Sequence, residues 1–455
     1  MIFMELLKEF DQHNLAKAGQ ELHGMASELF PICRSITGDG IRKTLALIGN
    51  RIPLRIFEVP TGTQVFDWTV PKEWNIRNAY IKTPDGTRVV DFQKSCLHVL
   101  NYSTPVHAKM DLSELKAHLF SIPEKPNWIP YRTSYYQENW GFCLSHNQMV
   151  ALTDGEYEVC IDSSLEDGHL TYAECYLPGR STDEVLISTH ACHPALANDN
   201  LSGVVVAAFL AEFLAKSKLR YSYRFLFLPG TIGAITWLAR NADAISRIRH
   251  GLVLAALGND CGFHYKKSRR GDAEIDHAAA VALRDVSGSA QILEFSPYGF
   301  DERQYCSPGF NLPVGCLTRP ADGFPENHTS ADNLDFTPPE KLAEALRVCV
   351  SIMDILENNQ RFLNLSPHCE PQLGKRGLYR PTGGVSIEKE INARLWVLNQ
   401  SDGERSLLEI AERSGLDFQT ISDAAEMLRG HGLLSIVSGD TEVATKPRES
   451  SRVEP

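Results

Sequence analysis

The chain has 455 residues, 43% hydrophobic and 22% charged, so two or three domains with substantial cores are expected. Its formal net charge of −12 argues against nonspecific binding to nucleic acid or anionic membranes. No run of about 18 apolar residues occurs, so no membrane span is expected.

The opening "MIFMELLKEFDQHNLAKAG" has acidic residues and lacks the basic flank and small-residue cleavage site of an export signal. A cytoplasmic protein is therefore expected, with its eleven cysteines as free thiols. Ile2, Leu6, Leu7, Phe10, Leu15 and Leu22 recur at helical intervals, so residues 1–30 read as an amphipathic helix. "PICRSITGDG" breaks it, and a helix resumes from Ile41 to Ile48. Short β-rich runs such as "LRIFEVP", "AYIKTP", "RVVDF" and "HVLNYS" then alternate with turn residues, which predicts a small β-rich inserted domain over 51–130.

Beyond residue 148 the pattern changes. "YEVCIDSSL" and "LTYAECYLPG" predict a hairpin. "EVLIST", "YRFLFLPG" and "GLVLAALG" read as buried strands joined by the helices "SGVVVAAFLAEFLAKS" and "AITWLARNADAISRIR". Apolar strands linked by helices predict an α/β domain with a mixed, mostly parallel sheet flanked by helices, built from 1–50 and 131–365. A long helix from "PPEKLAEALRVCVSIMDILENNQ" closes it, packed through Leu342, Leu346, Val350 and Met353. Residues 366–386, rich in Pro and Gly, read as a linker. Three helices and the strand "GLLSIVS" over 387–440 form a winged-helix pattern, and 441–455 reads as a disordered tail.

Ligand sites in open α/β sheets form at the carboxyl ends of strands. "STHACHPALANDNLSG" lies there, with His193 and Asp199 on one loop, where Asn198 and Asn200 can hold the backbone. On its own this is a polar strand-to-helix turn as readily as a metal loop. Asp260, after the strand "LVLAALG", and His328, in "FPENHTSADNLDF", enlarge the set to two imidazoles and two carboxylates, donors that zinc prefers.

"HPALANDNLSG", "YRFLFLP", "TIG", Asp260 and "HTSADN" resemble zinc aminopeptidases with co-catalytic metals. The chain resembles still more closely, over about residues 20 to 440, the bacterial aminopeptidase-like proteins, through "WGFCLSH", "YKKSRRG", "DERQYCSPGFNLPVG" and "HTSADNLDF". That resemblance implies a zinc-peptidase domain with a small β insertion and a C-terminal winged helix. It implies one or two zinc ions on His193, bridging Asp199, Asp260 and His328, with His190 competing with His193. It also implies hydrolysis of an amide in a small peptide or aminoacyl conjugate; a biosynthetic substrate suits the altered base position at Gly230 better than general peptide turnover.

One departure bears on the chemistry. Zinc aminopeptidases carry a Glu-Glu pair where this chain reads Pro229-Gly230-Thr231, and glycine can neither accept a proton nor bind a metal. Glu326, Asp332 or Glu302 could replace the base, the reaction could be a transfer or cyclisation, or the protein could be a degenerate, non-catalytic binding protein.

Other groups have functional and bland readings side by side. Lys267, Arg269 and Arg270 form either a solvated charged turn or a clamp for a substrate carboxylate or phosphate. Tyr265 could stabilise an oxyanion. Asp301 and Arg303 could recognise a free amino or carboxyl group, or simply pair with each other. Cys192 is a conceivable nucleophile. Residues 388–430 carry nine acidic and five basic side chains, with Asp423 and Glu426 on the presumed recognition helix. A DNA-binding regulator is therefore disfavoured, and a protein-docking or oligomerisation module is expected.

Overall fold

The computed structural model describes residues 12–288, 290–320, 323–378 and 388–437. The expectations for residues 1–11, for the later part of the linker and for the tail lie outside the described residues. The chain divides into two compact units, Met1–Glu357 and Asn358–Pro455.

In the first unit, α1 (Gln12–Leu29) and α2 (Asp39–Gly49) precede the sheets. α2 turns Ile41, Leu45 and Ile48 inward at helical spacing. The longer strands that follow are β1 (Arg55–Pro60), β2 (Glu73–Lys82), β3 (Arg88–Asp91) and β4 (Val106–Asp111), with a short hairpin, Gln64–Val65 and Trp68–Thr69, between β1 and β2. After a stretch of short helices and a two-stranded parallel pair come β5 (Glu156–Glu166), β6 (His169–Leu177), β7 (Glu184–His190), α3 (Gly203–Leu214) and β8 (Ser222–Leu228). Next are α4 (Ile232–Arg240), β9 (Ile248–Leu254), β10 (Phe263–Lys266), α5 (Glu274–Val286), β11 (Ala290–Leu293), β12 (Val314–Thr318) and α6 (Pro339–Asn358).

The main sheet has eight strands in the order β1-β6-β8-β7-β9-β12-β10-β11. β8, β7, β9 and β12 run parallel, and antiparallel pairs join β1, β6 and β10 to them. Every residue of β7 and β8 is buried, as expected for strands covered on both faces. Their charged residues are paired: Arg224 of β8 reaches Glu184 at 2.8 Å and Glu174 of β6 at 2.6 Å. The stretch Ala197–Leu214, which runs from the loop after β7 into α3, is long and apolar enough to cross a bilayer, yet 89% of it is buried within the protein, with α3 as a core helix.

The smaller sheet, ordered β3-β2-β5-β4, has its own core around Ala79, Ile81, Leu112, Leu115, Phe142, Val159 and Ile161. Two details differ from the sequence expectation. β1, placed in the inserted domain by its composition, is an edge strand of the main sheet. β5 and β6 form no hairpin with each other: β5 pairs with β2 and β4, and β6 with β1 and β8. The chain passes between sheets at Gly168, where any side chain would collide with Glu73, so the small sheet draws on residues beyond 130.

The second unit contains β13 (Arg361–Asn364), α7 (Glu388–Gln400), β14 (Asp402–Ser406), α8 (Leu407–Ser414), α9 (Phe418–Gly430) and β15 (Leu434–Ile436). Its sheet runs β14-β13-β15, all antiparallel. Ser406 and Glu409 form a reciprocal capping box that starts α8, and Asp417 caps α9 through the Thr420 amide at 2.8 Å.

Candidate metal centre

β7 delivers His190 to the carboxyl edge of the sheet, and the loop to α3 folds back over it. Side chains of that loop take up the backbone leaving β9. Asn200 Oδ1 accepts the Ala256 N–H at 2.9 Å, Ser202 Oγ that of Leu257 at 2.8 Å, and Asn198 Oδ1 that of Gly258 at 2.6 Å. These bonds satisfy buried amides that would otherwise be costly. They also spend the β9 exit on holding the loop.

Four donors meet on this scaffold. His190 Nε2 lies 2.9 Å and His193 Nδ1 3.4 Å from Asp199 Oδ1, while His328 Nε2 lies 3.0 Å from Oδ2 of the same carboxylate. Donor atoms of His190, His193 and Asp199 all fall within 4.8 Å of one another. Both histidines of the loop thus belong to the group, so His190 and His193 are not alternatives. The His328 side chain is 46% exposed and marks the open side.

Burial pushes the Asp199 carboxyl up, but the three surrounding imidazoles outweigh it and hold it well below the usual range. Burial lowers His193, which favours a neutral ring. Its Nδ1 is buried and has no hydrogen-bond partner of proper geometry. A neutral imidazole with an orphaned nitrogen beside an ionised carboxylate fits the donor chemistry of zinc.

Residues outside the sequence motifs hold the donors in place. Arg34, fully buried, donates to the His193 carbonyl at 2.8 Å and to the Leu29 carbonyl at 2.6 Å. The Tyr131 N–H donates to the His328 carbonyl at 2.7 Å, and its ring stands edge-on to His193 and His328, each 5.3 Å away. Arg34 in "PICRSITG" and Tyr131 in "WIPYRTSYY" were missed because neither lies near a ligand in sequence. The only available hints were a lone Arg amid apolar residues and a run of tyrosines.

The other predicted residues are placed as follows. Asp260 is not brought to the group: its side chain is 86% exposed and pairs with Lys341 at 2.8 Å, because residues 255–258 have already run out along the loop. Tyr265 is buried on β10 and donates to Asp276 at 2.9 Å, which removes it as an oxyanion donor. Asp332 accepts the Asn198 and Asp199 amides at 2.5 and 2.9 Å, so it grips the loop with both oxygens instead of facing substrate as a base. Burial nonetheless pushes its carboxyl up to about 7. Glu302 is buried against Lys266, and Glu326 is half-buried on the loop before His328.

Lys267 pairs with Glu294, whereas Arg269 and Arg270 both bond Asn311. Arg303 is partly buried, with no partner for its Nε. Burial pushes the Cys192 thiol up to about 12, which leaves it protonated and removes it as a nucleophile. Gly230 stands against His190, and a Cβ there would lie 3.6 Å from Asp301 Oδ1. Asp301 is therefore the carboxylate that borders the missing glutamate. It is buried, and neither of its oxygens has a hydrogen-bond donor.

Residues 23–359 match a family described only as a domain of unknown function, DUF4910, and residues 360–436 match a winged helix-turn-helix family. A Clostridium acetobutylicum protein named for polysaccharide biosynthesis with an aminopeptidase-like domain is 50% identical over 435 residues, 95% of this chain and 100% of that one. A crystal structure from Clostridium acetobutylicum, assigned as a peptidase, has a TM-score of 0.90 at 49% identity over 95% of this chain and 100% of its own. BSAP, a zinc aminopeptidase from Bacillus subtilis, shares the fold at a TM-score of 0.54 and 11% identity, over 74% of this chain and 94% of its own.

Proposed function

From the premise that the chain belongs to the DUF4910 family, with an aminopeptidase-like domain followed by a winged helix, we propose that it is a zinc-dependent amide hydrolase acting on an aminoacyl conjugate in a biosynthetic pathway. The observation that carries this reading is the orphaned His193 Nδ1 beside His190, Asp199 and His328. His190, His193, Asp199 and His328 would hold one or two zinc ions. Zinc, when bound, polarises a carbonyl and makes water a better nucleophile near neutral pH.

The residues of the chain set the conditions for that chemistry. Asp199 offers both oxygens, Arg34 and Tyr131 fix the two outer histidines by their backbones, and Asp332 fixes the carboxylate loop. Asp301 supplies a negative charge beside Gly230, suited to a substrate ammonium group, since a buried carboxylate is stable only with a cationic partner.

Metal analysis of the purified protein tests this. About one or two zinc ions per chain are expected, falling at least tenfold in His193→Ala and His190→Ala. Loss of zinc should remove cleavage of alanylalanine and alanylglucosamine amides. A chain that binds no zinc overturns the reading. Gly230 favours a second one, a binding protein without hydrolysis, and zinc retained with no amide turnover would select it.

A further inference from the structure

Three aromatic side chains of the first unit crowd one stretch of surface with their rings in solvent: Phe66 at 57% exposure, Trp68 at 42% and Tyr136 at 50%. Phe66 and Trp68 lie on a hairpin whose strands are Gln64–Val65 and Trp68–Thr69. The Trp68 ring meets Tyr136 edge-on at 5.5 Å, and Phe66 meets Phe310 edge-on at 5.8 Å. The hairpin therefore touches two separate chain segments, and both lead to the four donors.

On one side, Tyr136 follows Tyr135, whose hydroxyl is 2.9 Å from that of Tyr131, the residue edge-on to His193 and His328. On the other, Phe310 belongs to the segment that begins with Phe300, whose ring stacks over His190 at 5.5 Å. The ledge is thus joined through both segments to the residues that stand against the donors.

Solvent exposure of three neighbouring rings forgoes the stabilisation that burial would bring. Phe66 and Tyr136 also hold positive φ, 56° and 66°, a conformation that bulky side chains rarely adopt and that gathers at ligand clamps. Three exposed rings present a surface on the scale of a small ring ligand, whereas a stable protein interface buries roughly 800 Å² per partner. Polar donors flank it: Arg269 and Arg270 both converge on Asn311, next to Phe310. A pyranose ring matches this surface. Its C–H face complements the negative face of an aromatic ring, and its hydroxyls suit guanidinium and amide groups.

We propose that this ledge is the sugar subsite of the same cleft, seating an N-acylated amino sugar so that its amide lies toward His193 and His328. The inference rests on the amide-hydrolase reading and names its substrate class: an amino acid joined by an amide to a hexosamine.

Full-length protein is titrated with chitotriose by isothermal titration calorimetry, and kcat/KM is measured for alanylglucosamine and alanylalanine. Chitotriose should bind. Trp68→Ala and Tyr136→Ala should weaken that binding at least tenfold with zinc content retained, and Trp68→Phe should restore most of it. The preference for alanylglucosamine over alanylalanine should fall about tenfold in Trp68→Ala. If chitotriose does not bind, or if Trp68→Ala leaves that preference intact, the sugar subsite is overturned even when alanylalanine is cleaved. If chitotriose binds through Trp68 but no amide is cleaved, the subsite stands and the hydrolase reading fails.

Discussion

Asp301 is the residue whose environment is most at odds with its charge. Its oxygens have no donor, and burial pushes its carboxyl up to about 6, so it is a net cost to the fold near neutral pH. Asp301→Asn should therefore stabilise metal-free protein at pH 7.5 by about 1–3 kcal/mol, read from urea midpoints, while raising KM for aminoacyl substrates. Unchanged or lower stability would mean that the carboxylate has a partner. Its neighbour Gly230 shows how far the sequence reached. The missing glutamate was legible as a departure from a motif, and so was the loop carrying His193 and Asp199. That Asp301 borders the gap was not, because some seventy residues separate the two and only the α4 start and the segment before β12 bring them together. Asp260 failed for the converse reason: its place after a strand was read correctly, but not the use of the intervening backbone by Asn198, Asn200 and Ser202.

Between elements, charged side chains hold the two sheets and α2 together. Arg42 of α2 donates to Glu73 of β2 at 2.7 Å and to Glu58 of β1 at 2.9 Å. The Arg42 guanidinium, with the His169 amide, holds the Glu73 carboxyl down to about 2. A depressed carboxylate adds stability above its unfolded value of about 4.5 and loses it as pH falls toward 2. About 2–3 kcal/mol should disappear over that window. Glu73→Gln should flatten the acid side of the stability curve without matching wild type at pH 6. Within the main sheet, Arg224→Met leaves Glu174 and Glu184 short of a buried partner and should cost about 3 kcal/mol in chemical denaturation. Strand identity along the chain was largely readable from apolar runs. Strand partnership was not: β5 and β6 adjoin in sequence with hairpin-like spacing, and only Gly168 packed against Glu73 marks the change of sheet.

For the whole molecule, the α/β architecture and the winged helix were legible because period and length separate strands from helices over long stretches. The route of the aromatic hairpin was not, since Gln64–Thr69 is too short to carry a pattern. Charge decides what the second unit can bind. On α9, Arg429 is tied to Glu426 at 2.6 Å, which leaves Asp423 facing any phosphate without a compensating cation on that helix. Full-length protein should bind a 20-base-pair duplex more weakly than about 100 μM in physiological salt by fluorescence anisotropy. Micromolar affinity that falls steeply with added salt would identify a DNA-binding module instead of a docking one.

The grip of Asp332 on the Asn198 and Asp199 amides joins segments more than 130 residues apart, and Arg34 and Tyr131 draw in the chain's first third. No nascent fragment that stops short of His328 contains a finished centre. Contacts of such sequence separation carry a large loop-closure entropy that slows their formation. On the zinc reading proposed above, metal uptake should therefore come after the sheet has closed, and the kinetics of zinc incorporation during refolding should follow the slowest folding phase of this unit rather than diffusion of the ion.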